Sequence, residues 1–212
     1  MLTNMDGKYG DVGEIIIFSD GRFNYKRDSM GKILPKEPGT AGVAFVAVRQ
    51  KEENKCEGFC NSQGIELTTL SRSNLMAGSF ALNGVLHEVK YGDWSSFHTE
   101  RVIFVTRSPY LYGPLASGSI FKWQLYDWMV RKDGIITERL NKDLWEGIAD
   151  ILNDIENIGM EVVTMFLEKE NYSVLNTLIE NPIALALQAS NGTSLIKDEW
   201  YEKTFGAVTQ KG

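Results

Sequence analysis

Two uninterrupted apolar runs organise the chain: Ile15-Ile16-Ile17-Phe18 and Val102-Ile103-Phe104-Val105. Both are rich in β-branched residues and end in polar or turn-forming ones. That is the pattern of a strand buried on both faces. Val43 to Val48 is a further apolar run, predicting a strand over 42–49, and 56–62 reads as an edge strand after it. Short links between these segments predict an antiparallel meander. The period then changes. Leu75, Met76, Phe80, Leu82, Val85, Leu86 and Val89 recur at helical spacing, with Ser71 or Ser73 as the N-cap. Gly78 and Gly84 lie inside this helix. Each costs it roughly 1 kcal/mol relative to alanine, which points to close packing on the sheet.

Beyond the strand at 101–106 the pattern becomes mixed. A short helix near 110–116 leads to an aromatic stretch over 120–130 and a turn at Arg131-Lys132-Asp133-Gly134. Leu144, Trp145, Ile148, Ile151 and Leu152 then mark one face of an amphipathic helix over 141–153. A strand over 161–167 follows, then a helix over 182–189 opened by Asn181-Pro182, proline being favoured at the first helical position. A strand meander followed by alternating helices and strands predicts an α/β fold, a mixed five-stranded sheet with helices on both faces. The most apolar strands, 14–19 and 101–106, should lie side by side in its centre. The expected organisation is a lead-in over 1–13, one domain over 14–190 and a polar tail over 191–212.

The formal charge of -6 changes the picture for nucleic acids. Binding driven by counterion release favours basic proteins, so any such binding must rest on a local patch. The chain has no apolar run of the roughly 20 residues that span a membrane, and its start lacks a signal-peptide pattern. Cys56 and Cys60 are expected to be reduced thiols in or beside a strand. An intracellular protein, cytoplasmic or nuclear, is the expectation, with no membrane partner. His87 and His98 stand apart from any cluster of acids or cysteines. No phosphate loop, dinucleotide fingerprint or nucleophile elbow is present.

Several local motifs, taken in order, resemble type-one ribonuclease H over roughly residues 14–190. Ile17-Phe18-Ser19-Asp20-Gly21 resembles the first strand with its terminal aspartate and glycine. Thr69 and Arg72, followed by Leu75-Met76-Ala77, resemble the start of the first long helix. Ile103 to Tyr110 resembles the fourth strand and its threonine-aspartate-serine-x-tyrosine end. Trp123, Trp128 and the basic turn at Arg131-Lys132 resemble a tryptophan-rich substrate handle. Asn141, Asp143, Leu144 and Trp145 resemble the motif that opens the next helix.

The resemblance implies a two-metal nuclease with four carboxylates that cuts the RNA strand of a hybrid. Carried over residue by residue, those positions are Asp20, Asn74, Arg107 and Asn181. Their formal charges sum to zero, whereas two divalent ions about 3.5–4 Å apart need dense negative charge. The expectation is that no metal binds and that Arg107 pairs bidentately with Asp20 where an ion would sit. Glu66 and Glu88 are the acids that could restore a carboxylate site, with magnesium as cofactor only in that case. Three readings follow. The first is a non-catalytic module for protein interaction or self-association. By analogy with degenerate ribonuclease H copies in retroelement and retroviral polymerases, a viral or mobile-element lineage fits it. The second is a non-cutting binder of RNA–DNA hybrid or duplex RNA through Lys26, Arg27, Lys32, Arg72, Lys122, Trp123, Arg131 and Lys132. The third is an active nuclease with displaced ligands.

Overall fold

The computed structural model describes residues 13–35, 37–52, 55–168, 176–192 and 194–199. Strands β1 (Glu14–Phe23), β2 (Gly39–Glu52) and β3 (Lys55–Thr68) form the expected antiparallel meander. Helix α1 (Leu70–Tyr91) leads through a 3-10 turn to β4 (Arg101–Thr106), which pairs parallel to β1. Helices α2 (Pro109–Ala116) and α3 (Ser119–Leu125) precede a separate two-stranded hairpin, β5 (Met129–Lys132) with β6 (Ile135–Glu138). Helix α4 (Lys142–Asn157), β7 (Glu161–Phe166), α5 (Asn176–Ser190) and the short β8 (Leu195–Ile196) follow. The main sheet has six strands in the order β7-β4-β1-β2-β3-β8.

Alternation along β1 divides the core in two. Ile15 and Ile17 point to the face covered by α1 and α4, where they join Phe45, Leu75, Leu82, Phe104, Trp145 and Ile148. Ile16 and Phe18 point to the opposite face, with Val105, Leu167 and Ile183 of α5. A central strand buried on both sides has no polar face, which is why its sequence is a continuous apolar run.

Several expectations need correction. Helix α1 starts at Leu70, and its N-cap is Thr69, whose hydroxyl accepts from the Arg72 amide. Gly84 packs on the sheet as expected, because a Cβ there would come within 2.5 Å of the Phe45 ring, but Gly78 packs on Leu111 of α2 instead. Helix α5 begins at Asn176, so Pro182 lies inside it and not at its first position. A proline there removes one backbone donor that the rest of the helix must tolerate. The polar stretch after residue 190 carries β8, which pairs with Gly64 and Ile65 of β3 as a sixth strand, and a buried Asp198.

Candidate functional site

Strands β1 and β4 are parallel neighbours in register from Glu14↔Arg101 to Ser19↔Thr106, so the residues that follow stand side by side where that pairing ends. Asp20 and Arg107 are those residues. Gly21 then lets the start of α1 sit against the strand. A Cβ at this glycine would lie 2.7 Å from the Ser73 carbonyl oxygen and 3.2 Å from the Asn74 amide nitrogen. The Asn74 backbone is thereby brought against Gly21, while the Asp20 side chain, one residue earlier and on the other face of β1, meets Arg107. Asn181 belongs to α5, and its side chain lies outside the described residues.

The Asp20 carboxylate, with only 10% of its side chain exposed, is met by two guanidinium groups. Arg107 Nη2 donates to Oδ1 at 2.6 Å, and Arg22 Nε lies 2.9 Å from Oδ2. Arg22 is a residue that sequence reasoning did not single out. The signal was available: residues i and i+2 of a strand share a face, so Arg22 stands beside Asp20 on β1. Charges at Asp20, Arg22, Asn74 and Arg107 sum to +1 (-1, +1, 0, +1). The recess beside Asp20, lined by Phe18, Ser19, Val105, Arg107, Leu167 and Ile183, holds about 10 Å³. That is close to the lower limit for one water molecule.

Neither candidate for a rescued carboxylate reaches this point. Glu88 lies in the last turn of α1, roughly 21 Å along the helix from Asn74 at 1.5 Å per residue. Glu66 is on β3, two strands from β1, and the residue facing Asp20 across β2 is Ser62, about 13 Å along the strand from Glu66. Among the described residues, no group of three or more His, Cys, Asp or Glu side chains gathers in one place.

A second polar cluster was not foreseen. Arg72, expected on a nucleic-acid surface, is 1% exposed. Its Nη1 and Nη2 donate to both Asp143 oxygens at 2.9 and 2.7 Å, and its Nε and Nη2 donate to Asp198 at 2.7 and 2.8 Å. The Thr68 hydroxyl also donates to Asp198, at 2.9 Å. Burial alone would lower the guanidinium's pKa, but the hydrogen bonds to the two carboxylates outweigh it and hold the pKa above its ordinary value. Arg72 thus ties the start of α1 to α4 and to the segment after β8. A helix-start arginine among polar neighbours reads as solvent-facing in a sequence, and its acids lie 71 and 126 residues away.

The remaining binding candidates fall on two separate segments. Lys26, Arg27 and Lys32 lie exposed on the loop between β1 and β2, where Arg27 donates to the Gly31 carbonyl at 2.8 Å. Lys122 on α3 and Arg131 and Lys132 on β5 are exposed as well. Trp123 is not a free stacking platform: Arg139 lies 3.5 Å over its ring, which also meets Trp145 edge-on. Burial keeps the Arg139 pKa below its usual value. Trp94, Trp128 and Trp145 are core residues. Around the hairpin, Leu125, Tyr126, Ile135, Ile136 and Leu140 are all more than 60% exposed, an apolar concentration that the sequence reading passed over.

No protein-family model and no curated protein matches the sequence. Solved structures do match its fold. LC9-RNase H1, a type 1 RNase H with the type 2 active-site motif, superposes with a TM-score of 0.61 at 18% identity, over 94% of this chain and 83% of its own. The foamy viral protease-reverse transcriptase, solved with an RNA/DNA hybrid, gives a TM-score of 0.56 at 15% identity, over 90% of this chain and 22% of the viral one. RNase H1 from Halobacterium salinarum gives 0.50 at 14% identity, over 84% of this chain and 97% of that one. The chain therefore has a ribonuclease H-like fold, as its motif order led us to expect.

Proposed function

We propose that this protein keeps a ribonuclease H-like scaffold without its cutting chemistry and works as a protein-interaction module. The observation that carries this reading is the pair of guanidiniums on Asp20. Hard divalent ions need several oxygen ligands and negative charge. Here the local charge is +1, Arg107 donates to one carboxylate oxygen, the Arg22 guanidinium lies 2.9 Å from the other, and the recess is about 10 Å³. These residues do not fit a two-metal centre. The chain's acidic balance, the covered face of Trp123 and the exposed apolar residues of the hairpin region favour a protein partner over a phosphate backbone.

The test is incubation with an end-labelled RNA–DNA hybrid in magnesium or manganese. No cleavage above background is expected. Metal-dependent cleavage that Asp20→Asn abolishes would overturn the reading. A second reading, a non-cutting binder of hybrid or duplex RNA, is favoured by the exposure of Lys122, Arg131 and Lys132 around one hairpin. It requires hybrid binding that weakens steeply with salt and is lost on Arg131→Glu with Lys132→Glu.

A further inference from the structure

Strand β7 closes one edge of the sheet, and among the described residues its only partner is β4. The Glu161 amide donates to the Glu100 carbonyl and the Leu167 amide to the Thr106 carbonyl, both at 2.9 Å. Strand alternation then turns the amides of 161, 163 and 165 toward β4. It leaves the N–H and C=O of Val162, Thr164 and Phe166 facing outward. Natural edge strands are usually blunted by lysine, proline or a bulge. β7 reads Glu-Val-Val-Thr-Met-Phe, with none of these and an unbroken register.

Beside this edge lies a cavity of about 480 Å³, between β7, the C-terminal end of α4 and the α2–α3 region. Leu115, Phe121, Leu152, Met160, Val162 and Thr164 line it. Glu156 also lines it and is exposed, which brings negative charge to the cavity, whereas the Glu161 carboxylate in the same lining lies 3.2 Å from Arg101 Nε. An unblunted edge next to an apolar cavity is the arrangement by which an added strand is recognised: backbone groups supply affinity and alternate side chains enter pockets.

We infer that β7 accepts, as an extra strand, an extended segment of a partner protein that alternates apolar residues, seats one of them in this cavity and carries lysine or arginine beside it. The inference rests on the interaction-module reading and names its site. Glu156 selects the basic flank. A second copy of this chain is a poorer occupant, because the side chains its own β7 would offer are already committed. Val162 packs against its own core, and the Phe166 ring lies 5.3 Å from that of Tyr112.

The test uses the full chain and a short fluorescein-labelled peptide in which leucine and valine alternate with threonine between terminal lysines. Fluorescence anisotropy reads the binding. The control peptide has the same composition with its apolar residues grouped. Thr164→Pro removes an outward amide without breaking a bond to β4, so its melting temperature should match that of the wild type. Saturable binding of the alternating peptide, about tenfold weaker with Thr164→Pro, is expected, a factor that corresponds to roughly one backbone hydrogen bond. Glu156→Lys should weaken it too and improve binding of a glutamate-flanked version. Absence of saturation, equal binding of the control peptide, or indifference to Thr164→Pro overturns the inference. So does a dimer that Thr164→Pro dissociates, which would assign the edge to a second copy. Hybrid cleavage is assayed on the same preparation: cleavage sinks the non-cutting reading, whereas no cleavage with no peptide binding sinks only the site named here.

Discussion

Replacing Arg72 with methionine should be among the most damaging single substitutions in this protein. The methionine fills much of the same volume, so the loss is electrostatic and not a cavity. Four donor contacts of 2.7 to 2.9 Å disappear, leaving Asp143 and Asp198 close together without their shared cation. Removing one partner from a buried ion pair costs about 3–5 kcal/mol. Asp143 keeps 22% exposure and can turn to water, whereas Asp198, at 3%, keeps the Thr68 hydroxyl but loses both guanidinium contacts. A loss of about 4 kcal/mol follows, or about 8–16 °C in melting temperature for a domain of this size. Urea unfolding at neutral pH, followed by tryptophan fluorescence, measures it. Adding Asp198→Asn to the variant should recover part of the loss, because it removes the least hydrated of the stranded charges. A loss below about 1 kcal/mol, the scale of an exposed ion pair, would refute the reasoning. Loss of hybrid binding with stability intact would return Arg72 to the surface role that its sequence context suggests.

Three further outcomes are expected. Gly21→Ala places a methyl 2.7 Å from the Ser73 carbonyl oxygen, so α1 must move off β1, at a cost of about 1–3 kcal/mol in chemical denaturation. Arg107→Ala removes one of two guanidiniums from Asp20 and should cost about 1.5–3 kcal/mol, and a magnesium titration should leave the wild type's melting temperature unmoved. Hydrogen bonding from Arg49, aided by Lys51, holds the Glu57 carboxyl below its ordinary value of 4.5. A depressed folded-state pKa adds stability above the unfolded value and loses it as pH falls through the folded one. The stability gap between wild type and Glu57→Gln should therefore be constant above about pH 5 and close progressively in acid.

The sheet and its order were legible because they rest on local pattern. The run Ile15 to Phe18 could only be a strand covered on both sides, and its likeness to Val102–Val105 put the two together at the centre. The convergence of Asp20 and Arg107 followed from that pairing. What stayed hidden depends on distance along the chain. Nothing near Arg72 announces Asp198, and the polar character of residues after 190 hides that two of them extend the sheet. Arg22 was hidden for a different reason: attention to a motif ending in Asp20-Gly21 passed over the strand's own two-residue period. Pro182 shows the limit of local punctuation, since a proline that favours a helix start was tolerated in a helix interior once α5 packed across β2.

The tie between Arg72 and Asp198 also has a consequence in time. Its two ends are 126 residues apart, so at typical rates of 5–20 residues per second the ribosome adds the aspartate roughly 6–25 s after the arginine. Throughout that interval only Asp143, of the two acids, can reach the guanidinium at the head of α1, and before α4 is made neither acid can. Strand β8 leaves the ribosome just ahead of Asp198, so the sixth strand and the acid that ties the head of α1 to the segment after it arrive together, long after the meander and α1 have been made.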